Sequence, residues 1–363
     1  MTTLHDLALM RLVVQRIAGP PHPSAADAVR SLTAVQGQDY PGALTSVALR
    51  TAGRRWSDVT AAMDEGAVVR SWPMRGTLHL VAADDLHWLL DLLGPRILAG
   101  AARRRAQLDL TEDDVARART VVVAALSGGR ALRREAVIAA MADGGVATTG
   151  QRGYHLLWFL AQSGTLCLGP TDGAEQLFVL LDEWVRNPRR LERDEALGEL
   201  TLRYFRGHGP ATVKDLVRWA GSTVRDVRAG LAIARPHLAC VEVDGVEHYL
   251  DPATPDRLAE FRAETRGVFL LPGFDEFVLG YGDRGAVLDA EFADRIVPGG
   301  NGMFRATVVS DGRIVGTWRY AGSGARRTVR AEPFTTFRDD VVAALPRLGE
   351  VLRHSRDAEV TRV

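Results

Sequence analysis

Two glutamines and an aspartate stand close together near the N-terminus, in the segment Ala34-Val35-Gln36-Gly37-Gln38-Asp39. If this segment is extended, the side chains of Gln36 and Gln38 point to the same side. An amide both donates and accepts hydrogen bonds, so the pair could hold one water molecule between them. The alternative interpretation is a polar helix terminus with solvated glutamines. The following Pro41-Gly42 pair predicts a turn.

The composition excludes several other kinds of site. The chain has 363 residues and only two cysteines, Cys167 and Cys240, which do not form a Cys-x-x-Cys pair. A disulfide framework or zinc ribbon is therefore excluded. The nine histidines show no metal-binding spacing, so neither a metal nor another cofactor is predicted.

Hydropathy and charge restrict the location and the partners. No apolar stretch reaches the length of about 18 residues that a membrane span needs, and residues 1–16 read as an amphipathic helix rather than a signal peptide. We therefore expect a cytoplasmic protein that does not bind membranes. The net charge is zero, and Lys214 is the only lysine. The remaining cations are arginines, whose planar fork suits phosphates and base edges, although a GC-rich genome would give the same bias.

One order of elements, three helices followed by a β-hairpin, recurs three times and predicts winged-helix units at 1–100, 101–185 and 195–255. The first unit has predicted helices at 4–17, 25–35 and 57–63, and strands at 67–71 and 77–81. In the second, a capping box of Thr111 and Asp114 predicts a helix start. In the third, Asp244-Gly245 predicts the tight turn of the hairpin.

The sequence changes in character from Gly267 onward. Predicted strands at 268–271, 303–309, 314–320 and 327–330 are separated by glycine turns at Gly312 and Gly322, and a helix is predicted at 338–353. This pattern predicts a small antiparallel β-barrel-like module at 265–355. The predicted fold class is α+β, with three tandem winged-helix units followed by this module.

Arginines cluster near the expected DNA-contacting parts of the predicted units. Phosphate binding needs such clusters because each neutralised phosphate releases counterions. The alternative is that they are ordinary solvated arginines paired with acids. His79 lies beside Arg75 and either packs in the hairpin or contacts DNA. Besides His79, the predicted DNA-binding residues are Arg75, Arg103, Arg104, Arg133, Arg152, Arg225, Arg228, Arg313, Arg326 and Arg327.

Six motifs together resemble the winged-helix DNA glycosylase family of the azinomycin-resistance enzyme AlkZ, over nearly the whole chain. They are Ala34-Val35-Gln36-Gly37-Gln38, Arg75-Gly76-Thr77-Leu78-His79-Leu80, Gln151-Arg152, Gly209-Pro210-Ala211-Thr212 with Asp215-Leu216 and Trp219, Leu271-Pro272-Gly273-Phe274-Asp275-Glu276, and Gly312-Arg313-Ile314-Val315-Gly316-Thr317-Trp318.

The resemblance implies particular catalytic residues. A Gln-x-Gln motif is the catalytic signature of that family, which implies catalytic roles for Gln36 and Gln38. Gly37 departs from the aliphatic residue usual at the middle position. A related branch has Asp in place of the second Gln, so Gln38 resembles the crosslink-unhooking branch. Asp39 remains an alternative activator of water.

The resemblance also implies a substrate and a reaction. The implied partner is double-stranded DNA carrying alkylated purines, and the implied enzyme is a monomer that hydrolyses the N-glycosidic bond of N7-alkylguanine. Unhooking of interstrand crosslinks, in repair or in self-resistance, is part of the same expectation. N7 alkylation makes the base a cationic leaving group, so the enzyme mainly has to position water at C1′.

The scarcity of lysine bears on the reaction type. A glycosylase that also acts as a lyase commonly uses an amine to form a Schiff base. Lys214 is expected on the solvent face of a helix, and the N-terminal amine is the only other candidate, so a monofunctional enzyme without lyase activity is predicted. Two other classes of function remain open at this point. The chain could be a non-catalytic winged-helix regulator that binds DNA, or a protein that sequesters a DNA-damaging natural product.

Overall fold

The computed structural model describes residues 2–173, 175–322 and 327–357. The chain forms two compact units, of which the first contains Met1–Val59 with Leu197–Val363 and the second contains Thr60–Ala196. Both units combine helices with antiparallel sheets, which agrees with the predicted mixture of helix and strand.

The described α-helices vary from single turns to long rods. They are Leu4–Val14 (α1), Ala25–Leu32 (α2), Tyr40–Leu49 (α3), Trp56–Asp64 (α4), Leu86–Gly100 (α5), Ala102–Gln107 (α6), Glu112–Leu126 (α7), Arg134–Asp143 (α8), Arg152–Gln162 (α9), Leu181–Trp184 (α10), Arg193–His208 (α11), Val213–Ala220 (α12), Val224–Ala234 (α13), Thr254–Thr265 (α14), Glu276–Leu279 (α15), Ala293–Ile296 (α16) and Asp339–Asp357 (α17).

The described strands are short, and most belong to hairpins. They are Val35–Gln36 (β1), Val68–Met74 (β2), Thr77–Ala82 (β3), Leu166–Asp172 (β4), Glu175–Leu180 (β5), Ala239–Val243 (β6), Val246–Leu250 (β7), Val268–Leu271 (β8), Thr307–Ser310 (β9), Arg313–Ala321 (β10) and Thr328–Pro333 (β11).

Local signals in the sequence correctly predict several helix starts and turns. Thr111 caps α7, and its side chain and that of Asp114 form the predicted capping box. Asp244 and Gly245 both have positive φ, as a tight hairpin turn between β6 and β7 requires. Three helices precede a hairpin in the orders α7-α8-α9-β4-β5 and α11-α12-α13-β6-β7. The assignment of these segments as winged helices stays a prediction.

The segment after the two glutamines differs from its prediction. Pro41 and Gly42 do not form a turn but lie in the first turn of α3. Proline is tolerated there because the first N–H groups of a helix have no intrahelical partner. Asp39 is the N-cap residue of this helix. The glutamine segment is therefore a short link between a buried strand and a helix.

The first unit has two apolar cores. One core forms where α1 and α14 meet the hairpins and β8, and it includes Leu7, Leu12, Leu250, Leu258, Phe277 and Val309. The other lies between the C-terminal sheet and α17, and it includes Leu270, Val308, Trp318, Val341 and Leu352. The sheet has the order β11-β10-β9-β8. Over the residues described it is open, with β8 and β11 at its edges, so it does not close into a barrel.

The second unit packs its helices around two hairpins. One hairpin is formed by β2 and β3 and the other by β4 and β5, and Arg70 pairs with Leu168 to join them. Their apolar side chains meet those of α7, α8 and α9 in one core that includes Val115, Val122, Val137, Leu156 and Phe178. Among the residues placed by the structure, we find no helix with the length and apolar character needed to cross a membrane.

Candidate active site

The two glutamines lie at the junction of β1 and α3 in the first unit. Gln36 ends β1 and is 4% exposed, whereas Gln38 and Asp39 are exposed. The chain passes from the interior to the surface within these residues. The link therefore has one side that faces the protein and another that faces solvent.

The two amides are bonded directly to each other. The backbone N–H of Gln38 donates to Oε1 of Gln36 at 3.1 Å. Because an N–H can only donate, the Gln36 side-chain atom that it contacts must be the amide oxygen. The amide nitrogen of Gln36 then donates to Oε1 of Gln38 at 2.8 Å. The Gln38 –NH₂ group is therefore directed away from Gln36, on the exposed side chain. The amides form an oriented pair rather than two independent solvated groups. Because they contact each other directly, a water molecule cannot lie between them, as the sequence had suggested, and has to bind beside the pair.

Asp39 places a carboxylate beside this pair. It caps α3 through its backbone position, but its side chain makes no capping hydrogen bond to the helix. A Cβ atom on Gly42 would lie 2.5 Å from Oδ2 of Asp39. Glycine at this position therefore leaves room for the carboxylate against the first turn of α3, where the helix dipole favours negative charge.

A buried carboxylate lies behind β1. Glu276 is fully buried, and its Oε1 accepts the backbone N–H of Gln36 at 3.3 Å. Its Oε2 accepts Nε1–H of Trp219 at 2.8 Å and lies 3.3 Å from Nε2 of His208. The His208 ring in turn stacks on Tyr204 with 4.7 Å between centroids. Glu276 thus ties β1 to side chains from α11 and α12.

The neighbouring carboxylate holds α3. Asp275 and Arg50 are both fully buried, and the two oxygens of Asp275 accept Nη1–H and Nη2–H of Arg50, each at 2.8 Å. Ser46 donates to the same carboxylate at 2.6 Å. Burial raises the pKa of Asp275, but the charge of Arg50 and the hydrogen bonds outweigh it and leave that pKa below its ordinary value.

A second layer of buried groups fixes this ion pair. Arg50 also donates to Oε1 of Gln15 at 2.9 Å, and Gln15 donates to the Tyr281 hydroxyl at 2.9 Å. Tyr281 donates to the carbonyl of His208 at 2.6 Å. Burial raises the pKa of Tyr281, so its hydroxyl keeps its proton and acts as a donor. The strand and the helix on either side of the glutamines are therefore clamped by adjacent residues of one motif.

This arrangement provides neutral hydrogen-bonding groups and one carboxylate at the surface. The Gln36–Gln38 pair can donate to and accept from a water molecule, and Asp39 can accept a proton. Because Gln36 is held from behind by Glu276, these groups are positioned before any substrate arrives. Such preorganisation suits a reaction in which the main task is to place water against a reactive carbon.

The structure buries His79 completely in the hairpin of the second unit. Its Nδ1 lies 2.8 Å from the carbonyl of Thr77, and Nη2 of Arg75 lies 3.2 Å from Nε2. Burial and the charge of Arg75 lower the pKa of His79 to about 3, so the ring is neutral and accepts from Arg75. The packing interpretation of His79 therefore fits better than a direct contact with DNA, and its effect is to orient Arg75.

Several arginines that were predicted to contact DNA are paired with groups of the protein. Arg133 lies 2.6 Å from Asp172, Arg152 lies 3.3 Å from Asp109, and Arg313 forms an ion pair with Asp289. Arg104 donates to Gln151, and Arg327 lies over the Tyr320 ring. These contacts match the alternative of ordinary paired arginines, without testing DNA binding itself.

Other predicted cations remain at the surface. Arg103 on α6 is exposed, and Arg225 and Arg228 share the exposed face of α13, as predicted. Arg326 lies outside the described residues. Lys214 is exposed on α12, as expected for the only lysine.

Sequence reasoning missed the carboxylates that support the site. Asp275 and Glu276 were identified only as part of a motif, and no role was predicted for Arg50, His208 or Trp219. A signal was nevertheless present, since Asp275 and Glu276 stand together inside the apolar run from Leu270 to Leu279. Charges within an apolar run are buried only when they are paired.

Comparisons with known proteins agree over nearly the whole chain. Residues 29–354 match the family model described as DNA glycosylase AlkZ-like. An interstrand DNA cross-link repair glycosylase from Streptomyces sahachiroi is 31% identical over 316 residues, which cover 82% of each chain. The solved structure of the Streptomyces sahachiroi DNA glycosylase AlkZ aligns with a TM-score of 0.81 and 25% identity, over 97% of this chain and 96% of that chain.

Proposed function

We propose that this chain, which belongs to the AlkZ-like family of DNA glycosylases, hydrolyses the N-glycosidic bond of N7-alkylguanine in double-stranded DNA. The observation that carries the proposal is the oriented amide pair of Gln36 and Gln38, held from behind by Glu276. The relative from Streptomyces sahachiroi is described as an interstrand cross-link repair glycosylase. We extend the proposal to such crosslinks, in repair or in self-resistance.

The chemistry of the lesion explains why neutral amides are sufficient. Alkylation at N7 makes guanine cationic, so the base departs with the electrons of the C1′–N9 bond. The sugar then resembles an oxocarbenium ion, as in sugar hydrolysis generally. The water held at the Gln36–Gln38 pair forms the new C1′–O bond and releases a proton. A strong base is not needed to activate this water.

Asp39 is the second candidate for accepting that proton. Its carboxylate is exposed, lies next to Gln38, and is not used to cap α3. In the first version of the mechanism the amides orient the water and the proton passes to solvent. In the second, Asp39 takes the proton as the water attacks.

The position of Lys214 supports a monofunctional enzyme. Lys214 lines a cleft of about 1210 Å³ together with Asp215, Arg218 and Asp283, and Gln36 and Gln38 do not line that cleft. The lysine therefore lines a different surface from the glutamine pair, which does not favour a Schiff base at that pair. The expected product is an intact strand with an abasic site.

The remaining elements would hold the damaged duplex. We assign the predicted winged-helix units at 1–100, 101–185 and 195–255 and the module at 265–355 to this task. The order of three helices and a hairpin supports the assignment for the second and third of these units. The glycine turns at Gly312 and Gly322 are the two candidates for an element that probes a DNA groove. The turn at Gly312 packs on α1, where a Cβ atom would lie 2.9 Å from Leu9. The hairpin end at Gly322 is therefore the better candidate.

All groups that form the site come from one unit of one chain, which supports a monomeric enzyme. Gln36, Gln38 and Asp39 lie at the surface end of the arrangement, and Asp275 and Glu276 support it from within. A partner subunit is not required to complete this set.

A strand-cleavage assay tests the proposed reaction. The protein is incubated with duplex DNA carrying one N7-methylguanine or one bis-alkylated crosslink, and abasic sites are then cleaved with alkali. We expect wild-type protein to generate breaks, and Gln36→Ala and Gln38→Ala to lose on the order of a hundredfold or more of the single-turnover rate. Asn187→Ala, which removes an exposed amide from the second unit, serves as the matched control.

The outcomes separate the proposal from its alternatives. Absence of breaks with wild-type protein, or full activity in both glutamine variants, would contradict the proposed reaction. Borohydride trapping of a covalent adduct between protein and DNA would contradict the monofunctional mechanism, because only an imine can be reduced in this way.

A further inference from the structure

Two arginines face each other on the C-terminal hairpin. In the antiparallel register of β10 and β11, Arg319 stands directly opposite Arg330. Like charges in directly opposed positions destabilise a hairpin because their side chains lie side by side. The strands therefore carry an electrostatic cost that an anion between the two guanidinium groups would remove.

The alternation of the strands directs both arginines to solvent. Trp318 of β10 and Ala331 of β11 pack toward the core that contains α17. The intervening Arg319 and Arg330 are exposed on the other face of the sheet. Together with Arg305, which is also exposed, they line a cleft of about 560 Å³.

The acid in this cleft is already paired. Glu332 lines the same cleft, but its Oε1 lies 3.4 Å from Nη2 of Arg295. Arg295 is held in place because it also donates to the carbonyls of Phe334 and Pro333, at 2.8 and 3.1 Å. Within the described ranges, Arg305, Arg319 and Arg330 have no carboxylate partner of their own.

The cleft is connected to the glutamine site through the backbone of the first unit. Arg305 lies between Phe304, whose carbonyl closely approaches Gly273, and Ala306, whose carbonyl accepts the backbone N–H of Trp318 at 3.1 Å. A Cβ atom on Gly42 would lie 3.2 Å from the carbonyl of Gly273. Gly42 belongs to the same helix turn that accommodates Asp39. A short series of backbone contacts therefore links Arg305 of the arginine cleft to the helix turn beside the amide pair.

We infer that Arg305, Arg319 and Arg330 form a phosphate site that binds a backbone phosphodiester of duplex DNA. The guanidinium fork matches the paired oxygens of a phosphate, and arginines on two strands can bind it from both sides. The site rests on the proposed function only in taking DNA as its ligand. It differs from the previously predicted contacts, none of which includes these three residues.

Salt-dependent binding of an undamaged duplex tests the site. We compare wild-type protein, the double variant Arg319→Ala with Arg330→Ala, and the matched double variant Arg266→Ala with Arg347→Ala, which removes two exposed arginines elsewhere in the same unit. We expect the first double variant to weaken binding roughly tenfold at moderate salt and to lower the slope of log K against log salt by about 1. The matched variant should change both quantities less.

Two further variants control for folding and for simple charge. Arg330→Glu would pair with Arg319, so its melting temperature should not fall while its affinity for the duplex does. The double variant Arg319→Lys with Arg330→Lys keeps both charges, so it should retain most of the slope of log K against log salt. It should lose the affinity that comes from bidentate contact between a guanidinium group and the phosphate. Equal losses in the cleft variant and in the matched variant would overturn the inference, as would an unchanged slope in the cleft variant.

Failure of this inference can be distinguished from failure of the proposed reaction. Binding is measured on DNA without a lesion, whereas glycosylase activity is measured by alkali-sensitive breaks. A wild-type protein that makes breaks but shows no loss of binding in the cleft variant contradicts only the phosphate site. A protein that makes no breaks but loses binding in that variant contradicts only the proposed reaction.

Discussion

The link between β1 and α3 has an exposed front and a buried back, and the two sides use different chemistry. At the front, Gln38 reaches solvent with an uncharged amide, beside the carboxylate of Asp39. At the back, Asp275 and Glu276 are carboxylates without solvent exposure, and each accepts hydrogen bonds from distant elements. The groups that would meet the substrate and the groups that set their position are separate.

This difference shows how a small site can be rigid without being crowded. Hydrogen bonds to charged acceptors are stronger than those to neutral ones, so each carboxylate can hold its element with few contacts. Asp275 holds α3 through contacts of 2.6 to 2.8 Å, and Glu276 holds β1 through a longer contact of 3.3 Å. The amides can then remain accessible at the surface. We therefore predict that substitutions at the buried back mainly lower the free energy of unfolding. Substitutions at the exposed front should mainly lower the rate of the reaction.

The largest effect is expected from the buried ion pair. Arg50→Ala leaves Asp275 buried without its cation, and loss of one partner of a buried pair costs about 3–5 kcal/mol. Urea unfolding of the variant should show a free energy of unfolding lower by this amount. The double variant Arg50→Met with Asp275→Leu removes both charges and should lose less. Equal stability of Arg50→Ala and wild type would show that the pair does not hold α3.

Glu276→Gln should affect both properties. The variant keeps the shape of the side chain, but its nitrogen cannot accept from Trp219 or from the backbone of Gln36, so one buried N–H loses its acceptor. Such a loss costs about 1–3 kcal/mol of the free energy of unfolding. We also expect a slower single-turnover rate with unchanged affinity for DNA. A full rate in a destabilised variant would restrict Glu276 to a structural role.

Asp39→Asn should have a smaller effect, and one confined to the front. If the amides orient the water and solvent takes its proton, the variant should lose at most about tenfold of the single-turnover rate. If Asp39 is the general base, the loss should be larger, because general-base catalysis typically contributes about 10²–10⁴-fold. The melting temperature should fall only slightly, because Asp39 makes no side-chain cap to α3 and loss of its charge from the first turn of the helix costs at most about 1 kcal/mol. A loss above a hundredfold, together with loss of the acidic limb of the pH–rate profile, would instead assign the proton transfer to Asp39.

The smallest effect near neutral pH is expected from titration of Asp275. The pKa of this carboxyl is lowered below its ordinary value of 3.8, so the contribution of its ionised form to stability is complete above that value. That contribution is lost as the pH falls through the lowered pKa of the folded state. Unfolding free energies of wild type and Asp275→Asn should therefore run parallel between pH 5 and 7, and should converge at strongly acidic pH. A gap that widens on acidification would contradict this assignment.

The sequence allowed correct predictions where a structure depends on neighbouring residues. The resemblance to AlkZ-like glycosylases is confirmed, and the capping box at Thr111 and the turn at Asp244-Gly245 lie where they were predicted. The helix α3 was missed because Pro41-Gly42 is typical of a turn. Only the surrounding structure determines that these residues begin a helix instead.

Contacts between distant residues could not be predicted in the same way. The hydrogen bond from Gln36 to Glu276 joins residues 240 positions apart, and no spacing in the sequence indicates it. The arginines show the same limit, since Arg133 and Arg330 look alike in sequence. Arg133 forms an ion pair with Asp172, 39 positions away, whereas Arg330 lies opposite another arginine.

The 240 positions between Gln36 and Glu276 also set an order of events during synthesis. A ribosome translates the glutamines 240 residues before the carboxylate that holds them. A chain that stops between the two therefore carries the amide pair without its support. The arrangement that we propose to act on DNA can form only after Glu276 has been made.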